Sequence, residues 1–99
     1  MFVPALASAQ DTGGEAAKAY MEAHHRMMGA MAMQPSGDAD RDFISMMIPH
    51  HQGAIDMAKI ELQYGKDPVL RDLAAKIIAD QEREIAAMKQ WQSEHSGAQ

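Results

Sequence analysis

Cysteine is absent from this sequence. That excludes disulfides, thiolate zinc sites, iron–sulfur clusters, CxxC redox motifs and covalent c-type haem attachment. Aromatics make up only 5% of the chain. No run of about 18 apolar residues occurs, so no stretch reads as a membrane-spanning helix. A basic excess is also missing: nine Lys and Arg stand against fourteen Asp and Glu, a net charge of −5. With no basic stripe to neutralise phosphates, nucleic acid is not an expected partner. No segment alternates with period two over a strand length, so no sheet is expected.

Methionine is what the chain has in quantity, ten in 99 residues. The other proportions, 46% hydrophobic and 23% charged, are those of an ordinary globular domain. A single domain of this size buries only about 60–65% of its unfolded surface, so its core is modest. The first nine residues, MFVPALASA, contain Ala5-Leu6-Ala7 and Ala7-Ser8-Ala9, small-x-small patterns of the kind that precede signal-peptidase cleavage. A basic n-region is missing and the apolar stretch is short. Residues 1–9 therefore read as the remnant of a signal peptide, with a frayed apolar terminus as the plainer alternative. On the first reading, residues 10–99 form one exported, periplasmic domain.

Breakers divide the rest into three helices. Asp11-Thr12-Gly13-Gly14 precedes an Ala-rich helix from Glu15 to about Met33, which Gln34-Pro35-Ser36-Gly37 ends. Asp38 or Asp40 can cap a second helix that runs to Tyr64, with Gly65 as a left-handed stop. Asp67 and Pro68 are an N-cap and first-turn pair opening a third helix that ends between Trp91 and His95. Short loops between helices imply antiparallel neighbours and a bundle. The third helix carries a stripe at spacings of three and four: Leu70, Leu73, Ile77, Gln81, Ile85, Met88 and Trp91. Gln81 is polar within it and Glu84 lies beside it. A hydrogen-bonded buried Gln is the plain reading, and an outer-shell partner for a metal site the functional one.

The second helix is apolar on two faces. Phe43, Met46, His50, Ala54, Met57 and Glu61 share one; Ile44, Ile48, His51, Ile55 and Leu62 share another, about 100° round. With only two other helices in the chain, the second apolar face suggests self-association. Pro49 removes the hydrogen bond to the Ser45 carbonyl and should kink this helix, which the persistent apolar phase nonetheless carries through.

Chemistry-bearing side chains gather in the first two helices. Met21 with His25, His24 with Met28, Met27 with Met31, Met46 with His50, and Met47 with His51 are all four residues apart, neighbours on a helix face. A thioether is a soft, neutral ligand suited to Cu(I) and Ag(I), and it needs no deprotonation. Histidine extends the range toward Cu(II). Methionine is also adaptable core filler, and taken singly most of these residues fit that role. Their co-occurrence in ligand-compatible pairs favours metal binding.

The stretch from Asp40 to Ala58, with Met46-Met47-Ile48-Pro49-His50-His51 and Ala54-Ile55-Asp56-Met57-Ala58 at its centre, resembles the signature of a bacterial family catalogued as domain of unknown function 305. Pro68, Leu70-Arg71, Leu73-Ala74, Ile77-Ile78, Gln81, Glu84-Ile85, Met88 and Trp91 are similar to its second block. The resemblance covers Asp40 to Trp91 and implies a ferritin-like fold and an exported copper-binding protein. It implies Met46, Met47, His50, His51 and Met57 as metal-contacting positions. Met21, His24, His25, Met28 and Met31 are added from spacing. Three helices are one short of a closed bundle, and a homodimer would supply the missing packing.

The expected function is Cu(I) or Ag(I) binding in copper tolerance, as chaperone or sequestering protein and not as an enzyme. Copper-efflux or copper-oxidase proteins are the expected protein partners. Alternatives are a metal-free, Met-rich interaction module, a non-covalent haem protein, and a di-iron carboxylate protein. The last needs two Glu-x-x-His motifs, and only Glu22 with His25 supplies one.

Overall fold

The computed structural model describes the backbone of residues 4–96 and the side chains of residues 13–96. It contains three helices: α1 (Pro4–Ala30), α2 (Ala39–Tyr64) and α3 (Pro68–His95). No strand occurs among the described residues, and the chain is an all-α three-helix bundle. The signal-peptide reading of residues 1–9 begins outside the described residues; from Pro4 onward they are helical.

Local sequence sets most boundaries. Asp38 caps α2, its Oδ1 accepting from the Asp40 and Arg41 amides at 3.0 and 3.2 Å. Asp67 caps α3 by accepting from the Leu70 amide at 3.1 Å, with Pro68 in the first turn. Asp42 adds a support that spacing did not suggest. Its carboxylate accepts from the Ser36 amide and hydroxyl, both at 2.8 Å, and from the Gly37 amide at 3.1 Å. The two Ser36 bonds chiefly hold its pKa below the ordinary carboxylate value. Gly37 is at φ 95°, where a side chain would be strained.

Three expectations are corrected. The Asp11–Gly14 cluster does not start α1, which already runs from Pro4 through both glycines. Each costs about 1 kcal/mol against Ala, and the alanines on either side offset that. Helix α1 also ends at Ala30, so Met31 sits on the closing turn, its amide bonded to the Met27 carbonyl at 3.0 Å, and Met33 lies beyond. Gly65 is not left-handed: φ is −72° and ψ 156°. The chain leaves α2 extended to reach Asp67 at once. Glycine is needed because a Cβ would collide with Glu61, whose carbonyl would lie 2.6 Å away.

Helix α2 is the middle element, continuous through Pro49. It packs antiparallel against α1 on one side and α3 on the other, and the α1 and α3 backbones do not approach each other directly among the described residues. The α1 register is marked by Arg26 with Asp56, 3.7 Å apart, and by Met27 over Gly53. The α3 register is marked by Arg71 donating to the Leu62 carbonyl at 2.7 Å and Arg41 donating to the His95 carbonyl at 3.1 Å. The apolar face bearing Ile44, His51 and Ile55, expected to need a second copy, is buried within the chain. Ala23, Ile44, Ile55, Ala58, Ile60, Ala74 and Ile85 make a thin core. Leu70 and Leu73, read as core, are about half exposed at 49% and 50%, because a neighbour on only one side of α3 cannot cover them. The layer measures 68 × 25 × 16 Å, and its shortest dimension is little more than one helix with side chains.

Gly53 sets the approach of α1. A Cβ there would lie 2.9 Å from Met27 Cγ and 3.3 Å from Met27 Cβ, too close to the root of that side chain for it simply to swing aside. Gly53→Val should destabilise the fold by about 1–3 kcal/mol through overpacking, read as a lower denaturation midpoint. With Met27→Ala present, Gly53→Ala should cost less than in the wild type, because only the 3.3 Å approach to the Cβ of residue 27 still opposes the gain in helix propensity. An equal cost in both backgrounds would show that the Met27 side chain does not set the constraint.

Candidate metal-binding face

The ten candidate ligands fall into three groups. The first rides on α2. Met46, His50 and Met57 are all exposed and, at 100° per residue, lie on one side of the helix. Gln52 and Asp56 lie about 80–160° round the helix from it, and with Ser45 and Pro49 they floor a groove of about 730 Å³ between α1 and α3. Met46 and His50 therefore stand on the outward ridge of the layer. The register set by Arg26–Asp56 and Met27–Gly53 brings His24 of α1 level with Met57 and Met31 level with His50. Tyr20, on the same flank of α1, has its pKa raised by partial burial and then by Glu61.

The second group is confined to α1. Met21, His25 and Met28 follow each other at four and three residues on the face turned away from Ala23, the buried contact with α2. Met21 and Met28 are 54% and 51% exposed. His24 and His25 leave α1 about 100° apart, yet their rings stay in tilted contact, centroids 6.1 Å apart at an interplanar angle of 55°.

The third group is at the α2–α3 seam. His51 is 8% exposed, and its Nε2 meets Glu84 Oε1 at 2.5 Å. An ionised carboxylate only accepts, so Nε2 carries the proton. Nδ1 is buried with no hydrogen-bond partner, alone in this among the side-chain nitrogens and oxygens of the described residues. Leaving such an acceptor unmatched costs about 1–3 kcal/mol. Met47, one turn before His51, is half-buried. The stripe on α3 offered Gln81 or Glu84 as an outer-shell partner but left Met88, also half-buried, as plain core.

No three His, Asp or Glu side chains converge on a common point among the described residues. The described residues thus bring together no donor set of the di-iron carboxylate kind; thioethers do not belong to that set. The donor chemistry fits a soft ion: neutral sulfur with imidazole on helix faces, several at four-residue spacing. No described helix is long and apolar enough to cross a membrane.

A family model described as domain of unknown function (DUF305) matches residues 4–92, well beyond the stretch that carried the resemblance. An uncharacterized protein of Acanthamoeba polyphaga mimivirus is 43% identical over 49 residues, which is 50% of this chain and 32% of that protein. The chain thus spans about a third of the length of that curated relative.

Exposure orders the methionines chemically. In metal-free protein treated with dilute peroxide, Met21, Met28, Met46 and Met57 should become sulfoxides before Met27, Met47 and Met88, as followed by peptide mass spectrometry. Equal rates across both sets would show that the ridge is covered in solution.

Proposed function

The chain belongs to the DUF305 family, and from that premise we propose that it is an exported binding protein for soft copper or silver ions. It acts in copper tolerance as carrier or store, and not as an enzyme. The observation that carries this reading is the exposure of methionine. A methionine kept as core filler is buried, yet Met46 and Met57 are 41% and 45% exposed and Met21 and Met28 more so. Each lies four residues from a histidine, or one turn or two along the same face from one. Thioethers presented to solvent beside imidazoles have little to pack against and much to ligate.

Cu(I) or Ag(I) is the cargo, with Cu(II) accessible to the histidines. The separation of the donors into groups supports more than one ion per chain. The small-x-small motifs ending at Ala7 and Ala9 support export to the periplasm. There copper-efflux or copper-oxidase proteins would be the natural recipients, and a cysteine-free site escapes disulfide formation.

A second reading has its own observation. Phe43 is 60% exposed, and Leu70, Leu73 and Ile77 with Ala54 and Met57 line an apolar hollow of about 250 Å³. A metal-free module that grips another helix, or a second copy of this chain, would use such a surface.

Competition separates the two. The reduced, metal-free protein should take Cu(I) from a chromogenic chelator. The double variant Met46→Leu, His50→Gln should retain the helical circular dichroism and bind at least about tenfold more weakly at its tightest ridge site, as expected for loss of ligands from a soft-metal site. Failure of the wild type to compete would sink the copper reading and leave the interaction module.

A further inference from the structure

We infer that His51 ligates the soft ion through Nδ1, with Glu84 of α3 as the carboxylate that orients its ring and Met88 as a ligand. This rests on the soft-metal reading and assigns within it an atom, a positioning residue and a thioether from the third helix.

The argument begins with the ring's single proton. Glu84 Oε1 lies 2.5 Å from Nε2, so Nε2 is the donor in this contact and, in the neutral ring, Nδ1 keeps its lone pair. That lone pair is enclosed in protein with no donor facing it. A buried histidine kept only as a strut would ordinarily satisfy both nitrogens. The arrangement found, one nitrogen held by a carboxylate and the other bare, is the one that metal-ligating histidines adopt. The carboxylate selects the tautomer and holds the ring against rotation.

The neighbours supply the remaining donors. Met47 precedes His51 by one turn on α2, and Met88 follows Glu84 by one turn on α3. Because α2 and α3 run antiparallel through the His51–Glu84 and Arg41–His95 contacts, these turns stand level across the seam. Both methionines are half-buried. Their long, unbranched side chains can swing to admit an ion without moving the helices. The seam thus offers one imidazole and two thioethers, partly shielded from water, whereas the ridge donors are open to it.

The test uses full-length protein with ¹⁵N-labelled histidine and Ag(I) as the probe. With the ring neutral, long-range ¹H–¹⁵N spectra should show His51 protonated at Nε2. Saturating Ag(I) should move the His51 Nδ1 resonance by tens of ppm and leave Nε2 nearly in place. Glu84→Leu should scramble the tautomer and weaken Ag(I) binding at the seam about 10- to 100-fold. Met88→Leu should keep the tautomer and the helical content while weakening the same step. If Ag(I) binds by competition but Nδ1 does not move, the inference is overturned and the soft-metal reading stands on the ridge residues. If Ag(I) does not bind at all, both fall. Should Glu84→Leu fail to fold, Met88→Leu decides the ligand set and the wild-type spectrum the atom.

Discussion

The structure depends on one packing constraint: α2 must serve two neighbours whose backbones never meet. Small residues make this possible. Gly53 admits Met27 of α1, while Ala23, Ala58 and Ala74 are buried with almost no side chain to accommodate. Close approach on both flanks leaves α2 with two further sides. One floors the groove between α1 and α3, and the other is the ridge that carries Met46, His50 and Met57. A fourth helix packed on the ridge would have buried Met46, His50 and Met57. Without it the layer stays thin, and the sulfur atoms stay accessible.

Much of this was legible in the residues. Asp38 and Asp67–Pro68 announced two helix starts because capping is local chemistry, decided within four residues. The two-faced pattern of α2 was right for the face of Ile44, His51 and Ile55, which is buried, and wrong for the face of Phe43, Met46, His50 and Met57, which is exposed. Local rules failed where a distant residue decided the outcome. Gly65 looked like a left-handed stop, yet its glycine is required by the Glu61 carbonyl and side chain behind it. The stripe on α3 gave Leu70 and Leu73 to a core that does not reach them, since periodicity names a face and not the partner that covers it. The Asp11–Gly14 cluster misled for the opposite reason, because two glycines weaken a helix without ending one amid alanine.

The candidate site was legible as a set and not as an arrangement. Spacing found the histidine–methionine pairs within α1 and within α2, because helix neighbours follow from sequence alone. It could not show that Met21, His25 and Met28 face away from α2, or that His51 turns into the seam while His50 turns out. Adjacent residues on a helix diverge by about 100°, so a His-His pair splits between environments once a neighbour is placed. Glu84 could be suspected from its position beside the stripe. Its contact with Nε2, and the bare Nδ1 that results, needed both helices.

The openness of the ridge bears on rates as well as affinity. An ion held in a closed cage must shed its ligands before a new one can attack, so its escape is slow in proportion to its affinity. On a convex surface only one hemisphere around the ion belongs to the protein. A donor from another molecule can enter the vacant hemisphere while the first bonds persist, and the exchange proceeds through a shared intermediate. On the proposed metal-binding role, a layer one helix thick would separate tenacity from residence time and let tightly held ions change hands quickly.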